Sequence, residues 1–195
     1  MITEQEFKKI ADKMGVSVAV IKTVRDIESS GNGFLPDGST KILFEGHKFW
    51  SQLVKKELDP YKLLKEEHRD VLYKNWTREF YLGGYKEYDR LTEAVEMSDD
   101  VRVKEAALEA CSYGSFQVMG YHAKDLGFQD VYDMFFYART GEYQSLDLFF
   151  RFCEHFNLTR HLKSGNIKAF VTGYNGSGQV AYYLNLWNKA YKKYA

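Results

Sequence analysis

The chain has 195 residues, with 27 basic and 27 acidic side chains and a formal net charge of zero. Hydrophobic residues make up 45% and charged residues 28%, a balance that excludes a disordered chain and supports one sizeable core. The absence of a basic excess argues against a nucleic-acid binder, and no run of eighteen apolar residues is present to cross a membrane.

In chain order, the first helix is well marked. Thr3 and Glu6 fit a capping box, Ile2 and Phe7 a hydrophobic staple, and Gly15 a C-terminal stop. This opening has neither the basic start nor the apolar centre of a signal peptide. Synthesis in the cytoplasm without a leader is therefore expected. Ser17 can cap a second helix, "VAVIKTVRDIESS". There Ile21, Val24 and Glu28 fall on one face at i, i+3, i+7, so a carboxylate continues an apolar stripe. Residues 31–45 break the helical pattern. Pro36-Asp37-Gly38 signals a turn and "KILFE" a short strand, so a small hairpin is expected near residues 33–45.

Only two prolines occur in the chain, and helical patterns resume after the hairpin. Helices are expected at 47–58, 61–73, 77–82, 86–97, 100–112, 122–126, 129–140, 142–156, 158–163, 166–173 and 178–193. The run "KKELDPYKLLKEEHRD" fits a solvated helical face. Cys111 and Cys153 both fall in segments read as helical, beside apolar neighbours, which favours buried free thiols over a disulfide. No internal repeat or linker interrupts the chain. One domain over 1–195 is expected, with no separate second module.

Glu28 is the leading chemical candidate. Burial at the end of an apolar stripe disfavours its charged form, and a carboxylic acid still protonated near neutral pH can act as a proton donor. Spacing alone leaves open an ordinary helix-end residue whose side chain escapes to solvent. "YGSFQVMGYH", residues 113–122, is neither a good helix nor a good strand. "GYNGSG", residues 173–178, fits a tight turn. Gln117, Tyr174 and Asn175 in these segments offer hydrogen bonds to sugar hydroxyls or amides. The five histidines have no metal-ligand spacing, so no metal or other cofactor is expected. Ser29 and Ser30 have no sequence-adjacent His and Asp to make a serine nucleophile. Ser29 fits a local hydrogen bond holding the helix end.

Three blocks carry a resemblance. Glu28-Ser29-Ser30-Gly31, then Gly114-Ser115-Phe116-Gln117-Val118-Met119-Gly120, then Tyr174-Asn175-Gly176 resemble, in order and spacing, the lysozyme-like superfamily of goose-type lysozymes and soluble lytic transglycosylases. "ESSGNGFLPDGSTKILFEGHKF" and "YGSFQVMG" are closer still to the N-acetylmuramidases of phage endolysins, and the likeness runs from about Val16 to the C-terminus. It departs at Gly114-Ser115, more polar than the usual pair, and at Tyr113, where related sequences often carry Trp.

The resemblance implies a mainly α fold, α+β lysozyme-like, with many helices around a catalytic cleft and a small hairpin. It implies a hydrolase that cuts the β-1,4 bond between N-acetylmuramic acid and N-acetylglucosamine, with Glu28 as general acid. It places Ser29, Gln117, Tyr174 and Asn175 at the substrate, Tyr174 near the scissile bond. Bacterial peptidoglycan strands would be the partner of a monomeric enzyme that acts on the wall after release from the cytoplasm. Glu45, at the end of the expected strand, is either a second catalytic carboxylate or a structural group paired with His47 or Lys48 or capping the next helix. The rival activities are a lytic transglycosylase using the same acid, a wall-binding module without activity, and a helical partner-binding protein.

Overall fold

The computed structural model describes all 195 residues. It contains ten α-helices and a three-stranded antiparallel sheet. Helix α1 (Glu4–Met14) has the expected capping box on Thr3 and ends at Gly15, in left-handed conformation at φ 62°. Ile2 and Phe7 are both buried beside it. Helix α2 (Val18–Ser29) is capped by Ser17 and stopped by Ser30, whose φ of 56° takes a non-glycine residue into the left-handed region immediately after the Glu28-Ser29 pair. One continuous apolar core then joins both ends of the chain, from Phe7 and Ile21 through Phe44, Tyr113 and Phe149 to Trp187.

The expected small hairpin forms around the Pro36 turn, with the Lys41 N–H donating to the Gly33 carbonyl at 2.8 Å, but the strand that follows it pairs elsewhere. Phe34 and Thr40 form a single antiparallel bridge around the Pro36 turn, but strand β1 (Ile42–Phe44) does not fold back on that segment. It pairs instead with β2 (Cys111–Tyr113), opposite Phe44 at Cys111, and β2 pairs with β3 (Val118–Met119). Residues 111–113 are therefore strand rather than the end of a helix over 100–112, and Cys111 opens it. A three-residue strand whose residues are all buried carries no alternating pattern for sequence to reveal. Between β2 and β3, residues Gly114–Phe116 make a 3-10 turn and Gln117 closes it at φ 51°. Both cysteines are buried and free.

Helices α3 (Gly46–Lys55), α4 (Lys86–Glu96), α5 (Val101–Glu109), α6 (Val131–Arg139), α7 (Glu142–His155), α8 (Thr159–Lys163), α9 (Ile167–Asn175) and α10 (Val180–Tyr191) follow the expected pattern within a few residues. The helices expected at 61–73, 77–82 and 122–126 are not formed. Residues 60–73 make two short 3-10 turns, Pro60–Lys62 and Glu66–His68, so "KKELDPYKLLKEEHRD" is only in its first residues a helical face. Tertiary bonds claim the backbone here. The Arg90 guanidinium donates to the Asp70 carbonyl at 2.7 Å, and the Glu87 carboxylate accepts from the Leu82 and Gly83 N–H groups at 2.8 and 2.9 Å. Such bonds replace a helical ladder with a fixed irregular course. Residues 122–126 continue a 3-10 turn, Gly120–His122, into further turns.

Candidate active site

Glu28 sits in the last turn of α2, which packs against α10 and is reached from the end of α9 by Asn175. The Ile21 and Val24 side chains of its stripe are fully buried, and Glu28 comes out at the edge of that packing. The residue keeps some solvent contact, yet protein atoms crowd its carboxyl. The amide of Asn175 donates to Glu28 Oε1 at 2.8 Å, and no other side-chain hydrogen bond reaches the group. Burial dominates, and the Asn175 bond offsets it only in part, so the carboxyl is pushed up to about 7. A proton held at that value remains on a large fraction of molecules at neutral pH and can be given up in a reaction. The charge of Glu28 in turn reaches the Tyr174 and Tyr183 phenols and, after burial, helps to raise both.

Helix α9 runs two residues further than expected, so Tyr174 and Asn175 belong to its last turn rather than to a loop; the turn itself starts at Gly176, φ 82°. This explains how an amide distant in sequence comes to Glu28. Helical spacing turns Asn175 toward α2, while Tyr174 packs its ring against Phe149, Phe152 and Phe170. The Tyr174 hydroxyl donates to the Phe116 carbonyl at 2.7 Å. Gln117 is likewise engaged inside the protein: its carbonyl accepts from Ser112 Oγ at 2.7 Å and its amide donates to the Gly114 carbonyl at 2.8 Å. Ser29 is buried and donates to the Arg25 carbonyl at 3.1 Å. Ser29, Gln117 and the Tyr174 hydroxyl, for which the resemblance implied substrate contacts, are thus engaged in internal bonds. Those polar groups shape the loop and helix ends around Glu28, and Asn175 holds the carboxyl itself.

Glu45 precedes α3 without capping it through its side chain. Its Oε2 accepts from the Tyr81 hydroxyl at 3.1 Å and lies 3.5 Å from His47 Nε2. Burial raises the Glu45 carboxyl, opposed by the Tyr81 bond and the charge of Lys48. Burial also holds His47 down at about 4, so the imidazole facing Glu45 is neutral near neutral pH and the contact is not an ion pair. Glu28 and Glu45 share no hydrogen-bond partner. What links their surroundings is Lys41: its Nζ donates to the Ser29 carbonyl at 3.3 Å, while its own carbonyl accepts the Gly114 N–H at 2.8 Å just ahead of β1.

Two further carboxylates organise these groups, and neither was singled out from sequence. Glu87 is fully buried in α4 and accepts from Arg90 at 2.8 Å, from the Phe44 N–H at 3.1 Å, and from Leu82 and Gly83. Arg90 also donates to the Phe44 carbonyl at 2.8 Å. The pair therefore fixes the strand end that carries Glu45 and the segment that carries Tyr81. Its i, i+3 spacing on α4 was the available signal. Glu142, the first residue of α7, accepts from the Gly33 N–H at 3.2 Å, Ser115 Oγ at 2.9 Å and Arg25 at 3.3 Å. It joins α2, the Gly33 loop and the Gly114–Phe116 turn. No three His, Cys, Asp or Glu side chains converge to hold a metal ion.

The family model for N-acetylmuramidase, Muramidase, matches residues 17–195. This chain belongs to the N-acetylmuramidase family. Among solved structures it is similar to the crystal structure of Burkholderia AP3 phage endolysin, with a TM-score of 0.82 and 31% identity over 99% of this chain and 71% of that one. No curated protein matches it. The fold is accordingly the mainly α, lysozyme-like fold of an endolysin, and this muramidase is a peptidoglycan hydrolase. No helix of this family member is long and apolar enough to cross a membrane.

Proposed function

We propose that Glu28 is the general acid with which this muramidase cuts the β-1,4 bond between N-acetylmuramic acid and N-acetylglucosamine. The observation that carries this is the state of its carboxyl, crowded by protein, supported by one neutral amide and raised to about 7. Glu28 gives its proton to the glycosidic oxygen as the bond to the muramic C1 breaks, and positive charge develops on the sugar ring. Asn175 orients the carboxyl and stabilises the carboxylate left behind. Water then adds at C1, and Glu28 recovers a proton. The enzyme would act as a monomer, as one catalytic domain over 1–195, on glycan strands of the wall after release from the cytoplasm.

Glu45 fits a supporting role in water positioning, with Tyr81 and neutral His47 fixing its carboxyl. A second reading has a specific observation in its favour. No carboxylate contributes to the state of Glu28, whose perturbation comes from burial and Asn175 alone. One acid acting without a partner suits a lytic transglycosylase, in which the muramic 6-hydroxyl attacks C1 in place of water. Mass spectra of fragments released from purified peptidoglycan decide between them. Hydrolysis gives reducing muramic ends, whereas transglycosylation gives anhydro ends lighter by one water. Fragments ending in reducing N-acetylglucosamine would refute both.

A further inference from the structure

Beside Glu45 a groove of about 690 Å³ runs between α3 and the Pro60–Lys62 turn. His47 lines it and also touches Glu45 at 3.5 Å, so the groove begins where that carboxyl is held. Its wall is built on Trp50, whose ring meets the edge of Tyr61 at 4.9 Å and 88°. Tyr61 and Val54 are 65% and 54% exposed, which leaves apolar surface open at the groove. Lys55 and Lys74 also line the groove. Neither forms an ion pair, whereas the adjacent Lys56 is bound by both Glu105 and Glu109. The groove's one carboxylate, Asp59, is occupied in capping its own turn, accepting the Tyr61 N–H at 3.0 Å. Lys48 and Lys55 both stand over the Tyr121 ring, at 5.6 and 5.4 Å, which adds positive charge at the same face.

The amide-capped sugars of peptidoglycan bear no charge, but the short peptides hanging from them carry free carboxylates and small alkyl side chains. Uncompensated ammonium groups beside Val54, Leu58 and Pro60 suit such a peptide better than they suit a sugar ring. We propose that this groove is the docking site for the peptide stem of the substrate, with Lys55 and Lys74 pairing its carboxylates. The proposal rests on peptidoglycan being the substrate and deepens that reading.

The experiment titrates the wild-type protein with an isolated, carboxylate-bearing stem peptide, following the tryptophan fluorescence and amide resonances of α3. It also measures KM on soluble glycan fragments with their stems and on the same fragments stripped of them by an amidase, with the lactyl carboxyl that this frees capped as its methyl amide. For the folded K55Q/K74Q protein the peptide should bind more weakly, and KM on stem-bearing fragments should rise roughly three- to tenfold, the scale of two exposed ion pairs. KM on stripped fragments should not change. Tyr61→Ala, which keeps both lysines, should weaken peptide binding through lost contact. Equal weakening on both fragment types would assign the groove to the glycan and overturn the proposal, as would no perturbation of α3 by the peptide. Release of fragments from whole wall by the wild-type protein reports the muramidase reading separately, so failure of the one is distinguishable from failure of the other.

Discussion

Replacing Glu28 with Gln keeps the size of the side chain and its bond to Asn175 but removes the proton. Two consequences of opposite sign follow. The rate should fall by roughly two to four orders of magnitude, the contribution of a positioned general acid. Stability should rise, and only at higher pH. The carboxyl is held at about 7 in the folded chain, against an ordinary value of 4.5 when it is free in water. The folded protein therefore binds this proton more tightly than the unfolded chain, and stability falls as pH rises from 4.5 to 7. At ~1.4 kcal/mol per pKa unit the ionised group costs the native state up to about 3.5 kcal/mol. The residue's partial solvent contact makes that figure an upper bound. Glu28→Gln removes the penalty, so its urea midpoint should exceed that of the wild type at about pH 8 and match it at about pH 4. Turbidity clearance of purified walls measures the rate on the same preparations. Near-normal clearance by the folded variant refutes Glu28 as the acid. An identical stability gap at both pH values refutes the desolvation argument, whatever happens to the rate.

Asn175→Ala deletes the one hydrogen bond that favours the Glu28 carboxylate. A bond to a charged acceptor is worth about 1.5–3 kcal/mol, so the alkaline limb of the pH–rate profile should move up by roughly one to two pH units; a limb that stays or moves down would contradict the assignment. Glu45→Gln should lower turnover with little change in melting temperature if Glu45 orients water. A drop in melting temperature with activity lost only in proportion would make it structural, and calorimetry beside wall-fragment release separates the two. Tyr174→Phe leaves the buried Phe116 carbonyl without its donor. It should cost roughly 1–3 kcal/mol in urea denaturation and lower the rate through displacement of the Gly114–Phe116 turn, while wall binding in a pull-down stays unchanged.

The helices were legible where a local device declares them. Thr3 with Glu6 and Ser17 are caps whose partners lie within one turn, and both are formed as the sequence spells them. The burial of Glu28 was legible as well, because i, i+3, i+7 spacing continues an apolar stripe into it, whereas its nearness to the third block was implied only by the family resemblance. What sequence hid was long-range. Residues 77–82 contain acceptable helix formers, but the Glu87 carboxylate on another helix claims the Leu82 N–H, and Arg90 likewise claims the Asp70 carbonyl in the preceding segment. Residues 111–113 become strand because β1 arrives to pair with them. Gln117, Tyr174 and Ser29 were marked from motifs, but a polar side chain in a motif does not say whether it faces substrate or backbone. Here the carbonyl oxygens of Phe116, Gly114 and Arg25 lie nearer to hand.

The division between structural and chemical carboxylates follows from what each is given to bond with, not from depth alone. Glu87 has no exposed surface, yet a guanidinium and three backbone N–H groups converge on it. Glu142 receives an arginine, a hydroxyl and a backbone N–H. Such donors satisfy the oxygen lone pairs that burial takes from water. Glu28 is offered only the neutral amide of Asn175. Taking water away from a carboxyl while supplying one uncharged donor leaves the proton as its most favourable companion, and that is the condition a proton donor needs. Glu45 lies between, with one phenol and a neutral imidazole. The fold thus supplies compensation generously to the carboxylates that hold loops in place and withholds it from the one at the end of α2. On the role proposed for Glu28, adding a cation beside it would favour the carboxylate, stabilise the fold near neutral pH and silence the acid at once.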